Sequence, residues 1–180
     1  MTEREKRHIQ SCRVLIVGPD EFVCVVRHDL KNLGFREVII GSVSMLNPDK
    51  NVADIIIHYI GSGPLLTGKD NCIPTIYPFD FIKGAGVIVL FPEDDRESFC
   101  SPDIRLWSAE YMAGYCTFWN IGDLDWLLES LPLIREDKTS YQGVKTAAYM
   151  SARIVANIAV GRHVKHYPRF YLTKNISRDL

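Results

Sequence analysis

The chain has 180 residues, of which 47% are hydrophobic and 24% charged; this excludes a disordered or fibrous protein and leaves room for one domain with a substantial core. The formal net charge of −1 excludes a global basic field of the kind that recruits nucleic acid or anionic membrane. The five cysteines (Cys12, Cys24, Cys72, Cys100 and Cys116) are scattered, odd in number and form no CxxC pair, so structural zinc and a disulfide framework are not expected and a reducing, cytoplasmic setting is.

The opening segment MTEREKRHIQ is charged and has no apolar centre, so it is not read as a secretory signal. No apolar run approaches the ~18 residues that span a bilayer. Neither membrane nor nucleic acid is expected as a partner. Val14 to Val17 is continuously apolar and predicts a strand buried on both faces. Phe22, Val25, Val26, Leu30 and Leu33 recur at helical spacing, with Asp20 or Glu21 suited to the N-cap or first turn and Gly34 to the stop. Val38 to Ile40 is a second strand that ends at Gly41. Strand, helix and strand within about thirty residues form a βαβ unit, so the sheet is predicted parallel.

Asp54 to Ile60 predicts a third buried strand, followed by the turn Gly61–Pro64. Ile73 to Pro78 and Gly86 to Pro92 predict a fourth and a fifth. Residues 93–140 read as an irregular insertion, with Ile104 to Tyr115 helical in pattern and DLDWLLESLPLI a short helix cut at Pro132. Tyr141 to Gly161 is rich in alanine and predicts a long helix ending on Gly161. RFYLTKN predicts a last strand. The fold class is α/β: a Rossmann-like, mainly parallel sheet with helices on both faces, in a single domain over residues 1–180.

Three segments in order resemble the ThiF/MoeB/HesA family, the adenylating fold of ubiquitin-activating enzymes. They are SCRVLIVG with LKNLGFREVII, then IPTIYPFDFIKGAGVIVLFP, then GVKTAAYMSARIVANIAVGR with YPRFYLT. Together they cover about half the chain. The resemblance implies ATP on the first strand–loop–helix, adenylation of a C-terminal carboxylate, and dimers. The partner it implies is a ubiquitin-like or sulfur-carrier protein.

The residues that would perform this chemistry are altered. A phosphate loop uses glycines so that backbone N–H groups approach the anion at a helix N-terminus. Here only Gly18 remains; Pro19 lacks the N–H, and Asp20 and Glu21 oppose a phosphate with like charge. The family's ribose-holding acid and its Asn and Arg-Gln segment have no counterpart beyond Asn47 and Lys50, because the chain runs from Gly41 almost directly to Asp54. The family's magnesium-binding Asp is replaced by His58 and Tyr59. A resident cofactor is therefore left unknown, with ATP disfavoured.

If a pocket exists, Gly18, Asp20, Gly41, Ser42, His58 and Ser62 are predicted to rim it, at the carboxyl ends of the strands. The expected role is a non-catalytic binding or scaffold subunit, in a homo-oligomer or with an intact relative. The alternatives are an adenylating enzyme with a rebuilt site using Lys50, Arg27 or Lys145, and a Rossmann module for another nucleotide or cofactor. A response-regulator receiver is a lesser resemblance, with His58 or Tyr59 at the phospho-accepting place. Cys100 and Cys116 are read as plain thiols, since the charges nearest Cys100 are acidic and disfavour a thiolate. Asp94, Asp95, Glu97 and Asp103 are read as a solvated loop. The basic stretch Arg162 to Arg169 is suited to an acidic tail or a phosphate, or simply to its place after a helix C-terminus.

Overall fold

The computed structural model describes residues 1–46, 52–65 and 72–175. Its six strands are β1 (Arg13–Val17), β2 (Glu37–Gly41), β3 (Ile55–His58), β4 (Thr75–Asp80), β5 (Gly84–Leu90) and β6 (Tyr171–Lys174). They form one sheet in the order β2-β1-β3-β4-β5-β6. The first four run parallel, as predicted, and β5 is antiparallel to both β4 and β6. The reversal follows from chain length. Only Phe81, Ile82 and Lys83 separate β4 from β5, and a parallel crossover needs about a dozen residues. Pro78 is tolerated inside β4 because β3 pairs only with Thr75 and Ile76, so its missing N–H lies beyond that ladder.

Helix α2 (Asp20–Leu33) starts one turn past β1. Its N-cap position is Pro19, which supplies no side-chain hydrogen bond, so Asp20 and Glu21 act as first-turn charges rather than caps. Gly34 ends it with φ 102°, as predicted. The long helix α5 (Tyr141–Ala159) is capped by Ser140, whose hydroxyl accepts from Gly143 N–H, and it stops just before Gly161. The segment 93–140 is more regular than expected. It holds α3 (Ile104–Phe118) and α4 (Asp125–Arg135). Pro132 does not cut α4. It stands three residues before the helix end on the exposed side, where losing one hydrogen bond to the Leu128 carbonyl is cheaply replaced by water. Helix α1 (Glu3–Ser11) was not foreseen, because it buries only Ile9; its sequence signal is the Thr2–Glu5 capping box.

Side chains alternate across the strands and divide the core by face. On one face, Val14, Ile16, Ile55, Ile57 and Ile76 pack against α2, α5 and the end of α1 through Phe22, Val26, Leu30, Ala148 and Val155. On the other, Tyr77, Phe79, Ile88 and Leu90 pack under α3 and α4 through Met112, Trp126 and Leu127. Leu15, Val17 and Ile56 share this second face, under the 3-10 turn Val43–Leu46. Each fully buried side chain of this size stabilises the fold by about 1.5–3 kcal/mol before entropy is counted.

Candidate functional site

Parallel β1 to β4 place four carboxyl ends on one edge of the sheet. β2 and β3 lie on opposite sides of β1, so the edge has its topological switch point between β1 and β3. Open α/β sheets bind ligands in the crevice at that point. Val17 is level with Gly41 on one side and His58 on the other, so three of the predicted rim positions do meet there: Gly18, Gly41 and His58.

The crevice is occupied by the chain itself. The Tyr59 N–H donates to the Val17 carbonyl at 2.8 Å, which extends the β3 pairing by one residue. The Tyr59 ring lies on Phe22, with centroids 4.7 Å apart. A Cβ placed on Gly18 would stand 2.9 Å from Tyr59 Cβ and 3.3 Å from Phe22 Cδ1. Gly18 is thus needed for contact with Tyr59, the role a phosphate has in a nucleotide-binding loop. Burial pushes the Tyr59 hydroxyl up to about 12, with the nearby Asp80 carboxylate adding to it, so the phenol is neutral.

The remaining rim residues do not converge. Asp20 is exposed in the first turn of α2, and Ser62 is exposed in the turn after β3. Ser42 is exposed, with its hydroxyl 2.7 Å from that of Ser44. His58 meets the others only by its backbone level: its side chain points to the opposite face from Tyr59, is buried, and lies 5.9 Å from the Tyr77 ring. Asn47 and Lys50 lie outside the described residues. Two surface cavities, of about 170 and 330 Å³, lie elsewhere: one between α2 and α5 beside Asn32 and Tyr149, the other beside His8, Cys12 and Asp54.

A polar centre that sequence reading missed sits two strands away, at the end of β4. Asp80 is 0% exposed and Arg105 is 1% exposed. Asp80 Oδ1 accepts from Ile82 N–H and Oδ2 from Ser140 N–H, both at 2.7 Å. Arg105 Nη2 lies 3.5 Å from Oδ2, and its Nε donates to the Asp80 carbonyl at 2.7 Å. Arg105 Nη2 also donates to the Lys138 carbonyl at 2.6 Å. One ion pair thereby ties β4 to the start of α3 and to the connection between α4 and α5. Burial raises the Asp80 carboxyl above the usual carboxylate range, against the lowering effect of its two N–H donors and Arg105. Every strong partner is already inside the protein, so this carboxylate is a clamp rather than a base. A signal was present: a lone Asp in the apolar run IYPFDFI must be paired if the run is buried.

The other acidic residues have local work. Asp103 caps α3 by accepting from Leu106 N–H, and Asp95 accepts from Glu97 N–H. Asp94 is not a solvated loop residue: it accepts from Phe91 N–H and lies 2.7 Å from His166 Nδ1. Cys100 is exposed, whereas Cys116 is buried and burial raises its thiol. Among the described residues no three His, Cys, Asp or Glu side chains come together to hold a metal ion.

No protein-family model matches the chain, and no curated protein matches it. Its function must therefore be argued from the site.

His58 gives a pH-dependent signature. Burial pulls its imidazole down to about 4 from an ordinary 6.5. The unfolded chain then binds a proton that the folded chain refuses. This stability is complete above pH 6.5 and is lost as pH falls from 6.5 toward 4. Between pH 7 and pH 5 the loss is about 2 kcal/mol. Urea titrations at the two pH values should show it, and a His58→Gln variant should lack that part of the slope.

Proposed function

We propose that the chain is a shortened relative of the ThiF/MoeB/HesA family that lacks ordinary adenylation activity and acts as a binding or scaffold subunit in a dimer. The observation that carries this reading is Tyr59 filling the switch-point crevice over Gly18. A nucleotide phosphate at that position would have to displace a buried ring, and it would meet Asp20 and Glu21 at a helix start whose N-cap residue, Pro19, has no N–H. The Asp80 clamp further supports it, because the nearest buried carboxylate is fully engaged. Two partners fit such a subunit, a second copy and an intact relative, with a ubiquitin-like or sulfur-carrier protein as the cargo of the pair.

Isothermal titration with Mg-ATP tests the reading. No heat of binding is expected at micromolar nucleotide, and no pyrophosphate exchange in the presence of a carboxylate partner. Micromolar binding, or exchange above background, overturns it.

A further inference from the structure

Helices α2 and α5 pack on the same face of the sheet, and a cavity of about 170 Å³ opens between them. Its lining is Asp29, Asn32 and Leu33 from the last turns of α2, and Tyr149, Ala152 and Arg153 from the middle of α5. The volume matches about six waters, or one organic molecule of about six heavy atoms. From Asp20 to Asp29 is about 14 Å along α2, so the cavity is separate from the crevice that Tyr59 fills.

The two walls carry opposite charges that do not meet. Neither Asp29 nor Arg153 forms a salt bridge among the described residues, although both line the same small space. Arg153 is engaged elsewhere: its Cζ lies 4.5 Å from the centroid of the Tyr149 ring, one helical turn before it. That contact with the ring holds the guanidinium in place and leaves its N–H fork without a hydrogen-bond acceptor among the described residues. On the facing wall, Asn32 Nδ2 lies 2.9 Å from His28 Nε2, which leaves Asn32 Oδ1 as an acceptor. Leu33 and Ala152 add apolar surface.

The α2 wall therefore offers acceptors and negative charge, and the α5 wall offers donors and positive charge. A simple anion satisfies Arg153 but faces Asp29 with like charge, and a simple amine meets the reverse conflict. A small molecule with an ammonium at one end and a carboxylate at the other satisfies both walls, and a carboxylate can take two N–H groups of the guanidinium at once. We propose that the cavity between α2 and α5 binds a small free α-amino acid, with its ammonium on Asp29 and Asn32 and its carboxylate on Arg153.

Amide chemical shifts of the full chain, titrated with L-alanine, test it. Saturable shifts are expected around Asp29–Leu33 and Tyr149–Arg153, with a dissociation constant on the order of 1 mM for a ligand of about six heavy atoms. Acetate and methylammonium, each carrying half of the recognised charge, should bind about tenfold more weakly or worse. Asp29→Asn and Arg153→Met should each weaken L-alanine by about tenfold while leaving shifts elsewhere in the chain as in the parent. The absence of saturable shifts at about twenty times the expected dissociation constant overturns the proposal. So does acetate or methylammonium binding as tightly as L-alanine, which needs no variant to fold, and so does L-alanine binding that either substitution leaves unchanged.

Discussion

Gly143→Ala is expected to lower stability by about 3 kcal/mol, although the same change on an exposed helix surface adds about 1 kcal/mol through helix propensity. A Cβ at Gly143 would lie 1.8 Å from Asp80 Oδ1, 2.7 Å from Asp80 Cγ and 3.2 Å from the Gly84 carbonyl. Neither neighbour can yield at low cost. The Asp80 carboxylate is held by Ile82 and Ser140 N–H groups, and the Gly84 oxygen belongs to a buried strand. The missing Cβ is what lets the first turn of α5 rest directly on the anion, where the positive end of the helix favours it. Urea midpoints and melting temperatures of the two proteins measure the difference. A variant as stable as the parent would show that α5 does not seat on Asp80.

Arg105→Met is expected to cost about 3–5 kcal/mol, the range for removing one partner of a buried ion pair. The loss comes from Asp80, left charged and 0% exposed without a counter-ion, rather than from the net worth of the pair. Two further measurements separate this cause from lost packing. Asp80→Asn placed on Arg105→Met removes the stranded charge and should recover part of the stability. Acidification should do the same. Asp80 already titrates above the usual carboxylate range, and without Arg105 it rises further. A raised carboxyl penalises the folded state above its own pKa, and the penalty vanishes once the group is protonated. The deficit of Arg105→Met relative to the parent should therefore shrink as pH falls from 7 toward 5. A deficit that is flat with pH and unmoved by Asp80→Asn would assign the effect to packing.

Much of the fold was legible because its four central strands are buried on both faces. Continuous apolar runs such as Val14–Val17 and Ile55–Ile57 have no other stable home in a chain of this composition. Helix α2 was readable from its period and from Gly34, and α5 from alanine content and Gly161. The candidate site was readable only as an address. The rule that ligands sit at carboxyl ends located Gly18, Gly41 and His58 at one level of the sheet, but it could not say whether the crevice between them was open.

Local pattern by itself determined that this chain makes strands and helices in a Rossmann-like order, because burial period, capping and turn chemistry act over a few residues. It also determined that the first loop is a poor phosphate cradle, since Pro19 and two carboxylates are properties of the residues themselves. Tertiary structure alone decided the rest. The direction of β5 depends on how short the link from β4 is once both strand ends are known. The pairing of Asp80 with Arg105 joins residues 25 apart in sequence. The closing of the crevice requires Tyr59 to arrive beside Gly18 from a different strand, a contact made only when β3 pairs with β1. Non-local contacts of this kind carry no short-range signature, because each partner alone is an ordinary tyrosine, arginine or glycine.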